Sequence, residues 1–399
     1  MRLLVIHQNF PGQFRHLIEA WCRRPGWDVR GLGRDTAPGL PGFAALTRYR
    51  LARSTRKGQH PYLTTMESAV LHGQAAVREM LKMRQQGFIP DVILAHPGWG
   101  ETLYAKEVFP NARLIHFCEW FYASEGADIG FDPEFPTTLD DRLRIRTWNA
   151  LHTLNLEQCD VGVTPTQWQW SRHPQAYRDK IRIIHEGIPT DQLGPDDQAW
   201  IKTPDGTVLR PGDPVITYVA RHLEPYRGFH VFMRALEQVQ KRHPNCHALI
   251  VGGDGVSYGQ RPKDARHWRE KMLREVQLDP KRTHFLGRIP YKNYLRVLQI
   301  SAAHVYLTYP FVLSWSMLEA MASGCLLIGS DTAPVREIVK PQVNGIQVNF
   351  FDTQGIADCM VQTIESPRTF AEFKRQARMD AHPLSRSNGF EKYTELLMS

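Results

Sequence analysis

Residues 309–338 read YPFVLSWSMLEAMASGCLLIGSDTAPVREI. The apolar run 304–307 just before them has the length and continuity of a buried strand. A loop leads from it to Ser314 and Ser316, both good helix N-cap residues. Residues 317–322 form the core of a helix, Gly324 stops it, and 326–328 is the next buried strand. Strand, loop, helix and strand in this order are the repeating unit of a parallel α/β sheet. Two chemical properties come with it. The free N–H groups and positive dipole end of the helix can hold a phosphate. Glu319, in the early turns, can grip ribose hydroxyls beside it. The competing reading of Ser316 and Glu319 is a capping box without a ligand.

The same alternation runs outward along the chain. Upstream, strands are expected at 2–7, 28–32, 91–95, 113–117 and 161–164, with helices at 67–84 and 142–159. A second series starts near Pro214, with strands at 215–219, 248–251 and 283–285 and helices at 229–242, 268–277 and 291–300. Helices at 356–365 and 370–378 follow. The stretch from Gly187 through 194–214, rich in Gly, Pro and Asp, reads as a surface linker. At about 100–200 residues per domain, 399 residues make two. The expected fold class is α/β, two Rossmann-like doubly wound domains facing across a cleft. The boundaries fall at 1–190 and 191–384, and a C-terminal helix at about 385–399 is a candidate to pack back on the first domain. In such sheets ligands bind beyond the carboxyl ends of the strands.

Composition narrows the class. Apolar residues make up 42% and charged residues 23%, as in a globular protein. No apolar run reaches the roughly 20 residues that span a bilayer, and residues 3–6 are too short for the about 7–15 residue core of a signal peptide. Six scattered cysteines without a Cys-x-x-Cys pair fit a reducing compartment and speak against a zinc ribbon. The expected location is cytoplasmic, with peripheral contact at the inner face of the membrane as an option. The net charge of +8 leaves three surfaces open: a plain solvated one, an anionic membrane contact, and nucleic acid. The last is disfavoured because no basic stripe is interleaved with aromatics.

Residues 318–324, Leu-Glu-Ala-Met-Ala-Ser-Gly, resemble the donor-binding segment of the family-four (group 1) retaining glycosyltransferases of the GT-B fold. That pattern is Glu-x7-Glu running into Leu-Glu-Ala-Met-Ala-x-Gly-x-Pro-Val-Ile. The resemblance gives Glu319 the ribose contact. It departs at the first Glu, the family's contact to the transferred sugar, where this chain has Phe311. Residues 215–229, VITYVARHLEPYRGF, resemble the family's diphosphate-binding strand and loop, with Arg221 on the Arg and Arg227 where Lys is usual. Two guanidiniums across such a loop can clamp a pyrophosphate by charge-assisted hydrogen bonds. Weaker matches are Gly12 in Asn9-Phe-Pro-Gly12, Gly253 in Gly252-Gly-Asp-Gly255, and Arg288 and Ile289 in Phe285-Leu-Gly-Arg-Ile289, which resembles the loop that reads the nucleobase. Tyr258 stands where a dinucleotide fingerprint needs its last Gly, so a dehydrogenase is not indicated.

The acceptor side is less defined. Residues 91–98 and 114–122 both end apolar runs in polar and aromatic residues. In the family a His near the second position lies close to the reacting sugar, and His116 and Glu119 are the two candidates here. Phe311 and Leu313 are further candidate sugar contacts. Asp128 and Asp132 could mark a metal site, but no strand-borne Asp-x-Asp supports one. The resemblance thus implies retaining transfer of a sugar from a nucleotide-sugar, UDP-sugar favoured and GDP-sugar possible, without metal or cofactor. The acceptor it implies is a glycan, lipid-linked or other hydroxyl acceptor in cell-surface polysaccharide or glycoconjugate synthesis. Arg221, Arg227 and Glu119 are the candidate catalytic residues. The donor contacts are Gly12, Gly253, Arg288, Ile289, Ser314, Ser316 and Glu319. The alternative is a non-catalytic glycosyltransferase-like partner subunit. A 2-epimerase or a phosphorylase of the same fold is a third reading, the latter without a lysine context for pyridoxal.

Overall fold

The strand β1 (Arg2–Ile6) is an interior strand of the first sheet, and Leu3 to Ile6 have no exposed surface on either face. Runs of this kind, apolar without alternation, are what a parallel strand covered on both sides requires. The computed structural model describes residues 1–399. One unit comprises Met1–Gly187 with Arg386–Ser399, and the other Ile188–Ser385.

In the first unit the remaining strands are β2 (Asp28–Arg34), β3 (Leu46–Tyr49), β4 (Val92–Ala95), β5 (Arg113–Phe117), β6 (Val161–Thr164) and β7 (Ile181–Ile183). All pairings are parallel, in the order β3-β2-β1-β4-β5-β6-β7. Successive side chains of β1 go to opposite faces. Leu3 and Val5 pack with Phe14, Trp21 and, from the helix Arg386–Met398, Tyr393, Leu396 and Leu397. Leu4 and Ile6 pack with Ala76 and Met80 of the helix Thr64–Gln85 and with Phe109. Trp21 Nε1 donates to Thr394 Oγ1 at 3.0 Å, which fixes the C-terminal helix to this unit. Chain order reverses between β1 and β4, so the carboxyl ends of β1, β4 and β5 form the switch point where a ligand finds room.

In the second unit a small hairpin, β8 (Ile201–Lys202) with β9 (Val208–Leu209), precedes β10 (Val215–His222), β11 (His247–Gly253), β12 (Thr283–Gly287), β13 (Ala303–Tyr306), β14 (Leu327–Ser330) and β15 (Ile346–Val348). The last six form a parallel sheet in the order β12-β11-β10-β13-β14-β15. The unit is closed at its ends, where Ile188 N–H donates to Leu384 O at 2.8 Å and Ile188 bridges Ser385.

Three sequence expectations change. The stretch 194–214 is no linker: Ala199, Ile201 and Leu209 are buried with Val215 and Leu249, so it belongs to the core of the second unit. The helix expected from 142 starts at Leu139, because Thr138 and Asp141 form a reciprocal capping box. The strand expected to stop at 219 continues to His222 through a register shift, which carries Arg221 onto the strand end. No helix is long and apolar enough to cross a membrane.

Candidate functional site

In the second unit the polar groups gather after β10 and β13. Arg221 is exposed and makes no hydrogen bond or ion pair within the protein. Arg227, in the turn Pro225–Arg227, is buried. Its Nη1 donates to Tyr306 Oη at 3.1 Å, Thr308 Oγ1 at 2.8 Å and Val312 O at 3.0 Å. The following Gly228 has φ 67°, and an added Cβ would stand 2.3 Å from Leu307 Cβ, so only glycine lets this turn lie on the end of β13. Tyr306 Oη also accepts the N–H of Ser314 at 2.8 Å. One phenol therefore ties the Arg227 guanidinium to the start of the helix Trp315–Ala322, whose N-cap is Ser314 with its Oγ on Ser316 N–H at 3.3 Å.

Glu319, buried in that helix, receives the hydroxyls of Tyr291 on Oε1 and Tyr294 on Oε2, each at 2.8 Å. Both tyrosines come from the helix Tyr291–Gln299. Burial, and then the neighbouring Glu319, push the Tyr294 phenol well above its ordinary range, so it remains a donor. Gly253 lies against His222 and Arg288: a Cβ there would be 3.1 Å from His222 Nδ1 and 3.2 Å from Arg288 Nε. The Arg288 guanidinium itself is 3.2 Å from His222 Nε2. Ile289 is half-buried and packs on Val297 and its neighbours. Phe311 is buried edge-on against the rings of Tyr226 and Tyr258, at 5.6 and 4.9 Å. Leu313 is buried in the core beside Met317 and Leu318.

In the first unit Gly12 has φ 56° and folds over His7, where a Cβ would stand 2.4 Å from the ring. His7, His96 and Glu119 follow β1, β4 and β5, respectively. His96 Nδ1 accepts the N–H of Gly98 at 3.2 Å, so its proton sits on Nε2, 3.2 Å from Glu119 Oε2. The Glu119 side chain is 45% exposed. Trp99 covers both imidazoles, with ring centroids 4.5 Å from His96 and 5.2 Å from His7. Burial, and then the neighbouring His96, lower the His7 pKa to about 3. His116 is elsewhere: it has no exposed surface, and its Nδ1 lies 3.1 Å from Asn155 O.

His7, Tyr291, Tyr294 and Glu224 carry no role in the sequence reading, whereas His96 closes the acceptor-side run 91–98. His7 and His96 are each the first residue after an apolar run, which in this sheet type is where ligand contacts stand. Tyr291 and Tyr294 are spaced i,i+3, one helix face, straight after the loop 285–289. Glu224 stands between the two arginines.

The comparisons agree with this architecture. Residues 25–193 match the model of the glycosyl transferase family 4 group, and residues 202–380 that of glycosyl transferases group 1. The chain belongs to these family 4, group 1 glycosyltransferases and has their GT-B fold, two Rossmann-like parallel α/β units. It is 27% identical over 187 residues to a D-inositol 3-phosphate glycosyltransferase of Nocardia farcinica, covering 46% of this chain and 40% of the relative. It is 26% identical over 169 residues to a glycogen synthase of Mycobacterium tuberculosis, covering 42% and 38%. The chain thus spans less than half the length of the relatives it matches. Among solved structures, sucrose-phosphate synthase from Thermosynechococcus elongatus superposes with a TM-score of 0.72 at 17% identity, covering 99% of this chain and 98% of that one. Anabaena HepE in complex with UDP-glucose gives 0.68 at 15% identity, with 100% and 99% covered. At these identities the likeness is one of fold.

Proposed function

We propose that this chain transfers a sugar, with retention, from a nucleotide-sugar to a hydroxyl acceptor. The observation that carries the reading is the junction at Tyr306, where a buried guanidinium and a helix N-terminus meet on one phenol. Arg227 spends its Nη1 on protein acceptors and Arg221 spends nothing. Together with the positive end of the helix they would offer the charge that a diphosphate requires. Glu319 then takes the ribose hydroxyls, its carboxylate already oriented by two phenols. The solved fold neighbour HepE, crystallised with UDP and with UDP-glucose, makes UDP-sugars the first donors to test.

In the reaction the bond between the sugar C1 and the β-phosphate oxygen breaks. The acceptor oxygen bonds to C1 from the same face, and its proton passes to the departing phosphate. Negative charge grows on the diphosphate, and the buried Arg227, the helix dipole and Arg221 would stabilise it electrostatically. With these charges in place the proposal needs no metal ion at the diphosphate. On the first unit, Glu119, held by His96, is the polar group offered to an acceptor glycan or lipid-linked acceptor. Peripheral contact with an anionic membrane is supported by the helix Leu139–Gln158, whose exposed Leu139 and Leu143 are flanked by Arg142, Arg144 and Arg146.

The test is a panel of UDP-, GDP- and dTDP-sugars, scored by binding and by donor hydrolysis with and without a chelator. Binding and turnover that survive the chelator are the expected result. No binding by any of them overturns the proposal. The second reading, a non-catalytic partner subunit, is favoured by one feature, the apolar Phe311 where the family carries a carboxylate. It predicts that Glu319→Ala leaves cellular function intact.

A further inference from the structure

Glu224 has only 1% of its surface exposed. Its carboxylate accepts three successive backbone N–H groups from the loop after β11. Ser257 donates to Oε1 at 2.9 Å, and Tyr258 and Gly259 donate to Oε2 at 3.3 and 2.9 Å. A buried carboxylate requires such partners. Here they also fasten the turn that carries Arg227 to a loop more than thirty residues away. Held in this way, the Tyr258 ring lies 5.5 Å from the Arg227 guanidinium carbon and 4.9 Å from the Phe311 ring. Tyr226 completes the group, 5.9 Å from Tyr258. Tyr258 itself remains 42% exposed, so one side of this wall is open to a ligand.

The aromatic group shares Arg227 with the diphosphate clamp, whereas Glu319 and its two tyrosines stand on other elements. A nucleotide with its ribose on Glu319 and its diphosphate on Arg227 directs whatever hangs beyond the second phosphate away from Glu319 and toward Tyr258. We propose that Glu224 is a positioning residue for the transferred sugar: by holding residues 257–259 it sets Tyr258 as the wall of the sugar subsite. Aromatic rings serve this purpose by packing on the C–H groups of a sugar, and the Tyr258 hydroxyl adds one polar contact. The inference rests on the donor-site reading above.

The experiment is calorimetric titration of UDP, UDP-glucose, GDP and GDP-mannose into the wild-type chain, Glu224→Gln and Tyr258→Ala, with thermal unfolding of each variant as a control. Glu224→Gln keeps the shape but replaces an accepting oxygen by an NH2 group that opposes the loop amides. The expected result is that each variant binds the bare diphosphate within about twofold of wild type but binds the matching nucleotide-sugar about tenfold more weakly. Equal weakening of diphosphate and nucleotide-sugar, or no weakening of either, overturns the inference while leaving the donor site intact. If the wild type binds none of the four compounds, the donor-site reading falls and this one with it. Should Glu224→Gln unfold, Tyr258→Ala, which removes an exposed ring, decides alone.

Discussion

Tyr294 Oη donates to Glu319 Oε2 at 2.8 Å, and Tyr291 occupies the other carboxylate oxygen at the same distance. A carboxylate fixed in this way presents its remaining lone pairs in one direction. Tyr294→Phe leaves a buried charged acceptor one donor short, a loss worth about 1–3 kcal/mol. UDP affinity should drop by about tenfold, read by calorimetry, and Tyr291→Phe should have the smaller effect because its ring is more exposed. Unchanged affinity in Tyr294→Phe would separate the tyrosine from nucleoside binding.

Arg227 is the second point of control. Arg227→Ala removes both the charge and the three bonds of Nη1, and kcat/KM for the donor should fall by about 10²–10³. Arg227→Lys restores a point charge without the fork and should recover only part of that loss. Steady-state kinetics on the donor found by the panel measures both, and a lysine variant equal to wild type would show that charge alone suffices.

On the first unit, Glu119→Gln should reduce transfer to acceptor by about tenfold to a hundredfold, the loss of a hydrogen bond from the acceptor to a charged group. UDP binding should stay unchanged. His96→Asn loosens Glu119 without deleting it and should cost less. Parallel weakening of UDP binding in either variant would contradict the acceptor-side assignment.

Acid should weaken the first unit. Burial, their largest cause, lowers His7 to about 3 and His152, His173 and His185 to about 4, against an ordinary value of 6.5. The unfolded chain therefore takes up more protons than the folded one below pH 6.5. The stabilisation is complete above that value and is lost as pH falls toward the folded values, at about 1.4 kcal/mol per pH unit for each histidine. Urea unfolding at pH 7, 6 and 5 should show midpoints falling steeply below 6.5. A flat profile would mean that these rings are protonated in the folded chain.

Leu139 and Leu143 are 71% and 51% exposed on one turn of a helix that also shows three arginines. Cosedimentation with vesicles containing anionic lipid should exceed that with neutral vesicles, weaken with salt, and fall in the double variant Leu139→Glu, Leu143→Glu. Equal retention by both vesicle types would remove the membrane contact.

The strands and helices of the second unit, and the candidate site residues on them, are legible in the chain where their signals are local. Residues 318–324 lie on one helix and the next turn, and Arg221 and Arg227 on one strand and its loop. What escapes is whatever depends on distant partners. The amides that satisfy Glu224 are 33 to 35 residues away, and His96 meets Glu119 across 23. No spacing rule links such residues before the sheets are assembled. Strands β3, β7 and β15 were missed for a related reason. They are three or four residues long at or near sheet edges, with mixed burial, so neither an apolar run nor a clean alternation marks them. The stretch 194–214 misled in the opposite sense. Its Gly, Pro and Asp describe turns truthfully, but Ile201 and Leu209 between them are enough to anchor a hairpin in the core.

The Ile188 N–H bond to Leu384 O brings the entry and exit of the second unit to a single bridge. Chain topology thus makes that unit a cassette, inserted into the first unit between Gly187 and Arg386. Residues 188–385 can be excised or exchanged for the matching segment of a relative by joining ends that already touch, at almost no loop-closure cost. On the proposed assignment of donor and acceptor groups to the two units, the two choices become separate pieces for engineering.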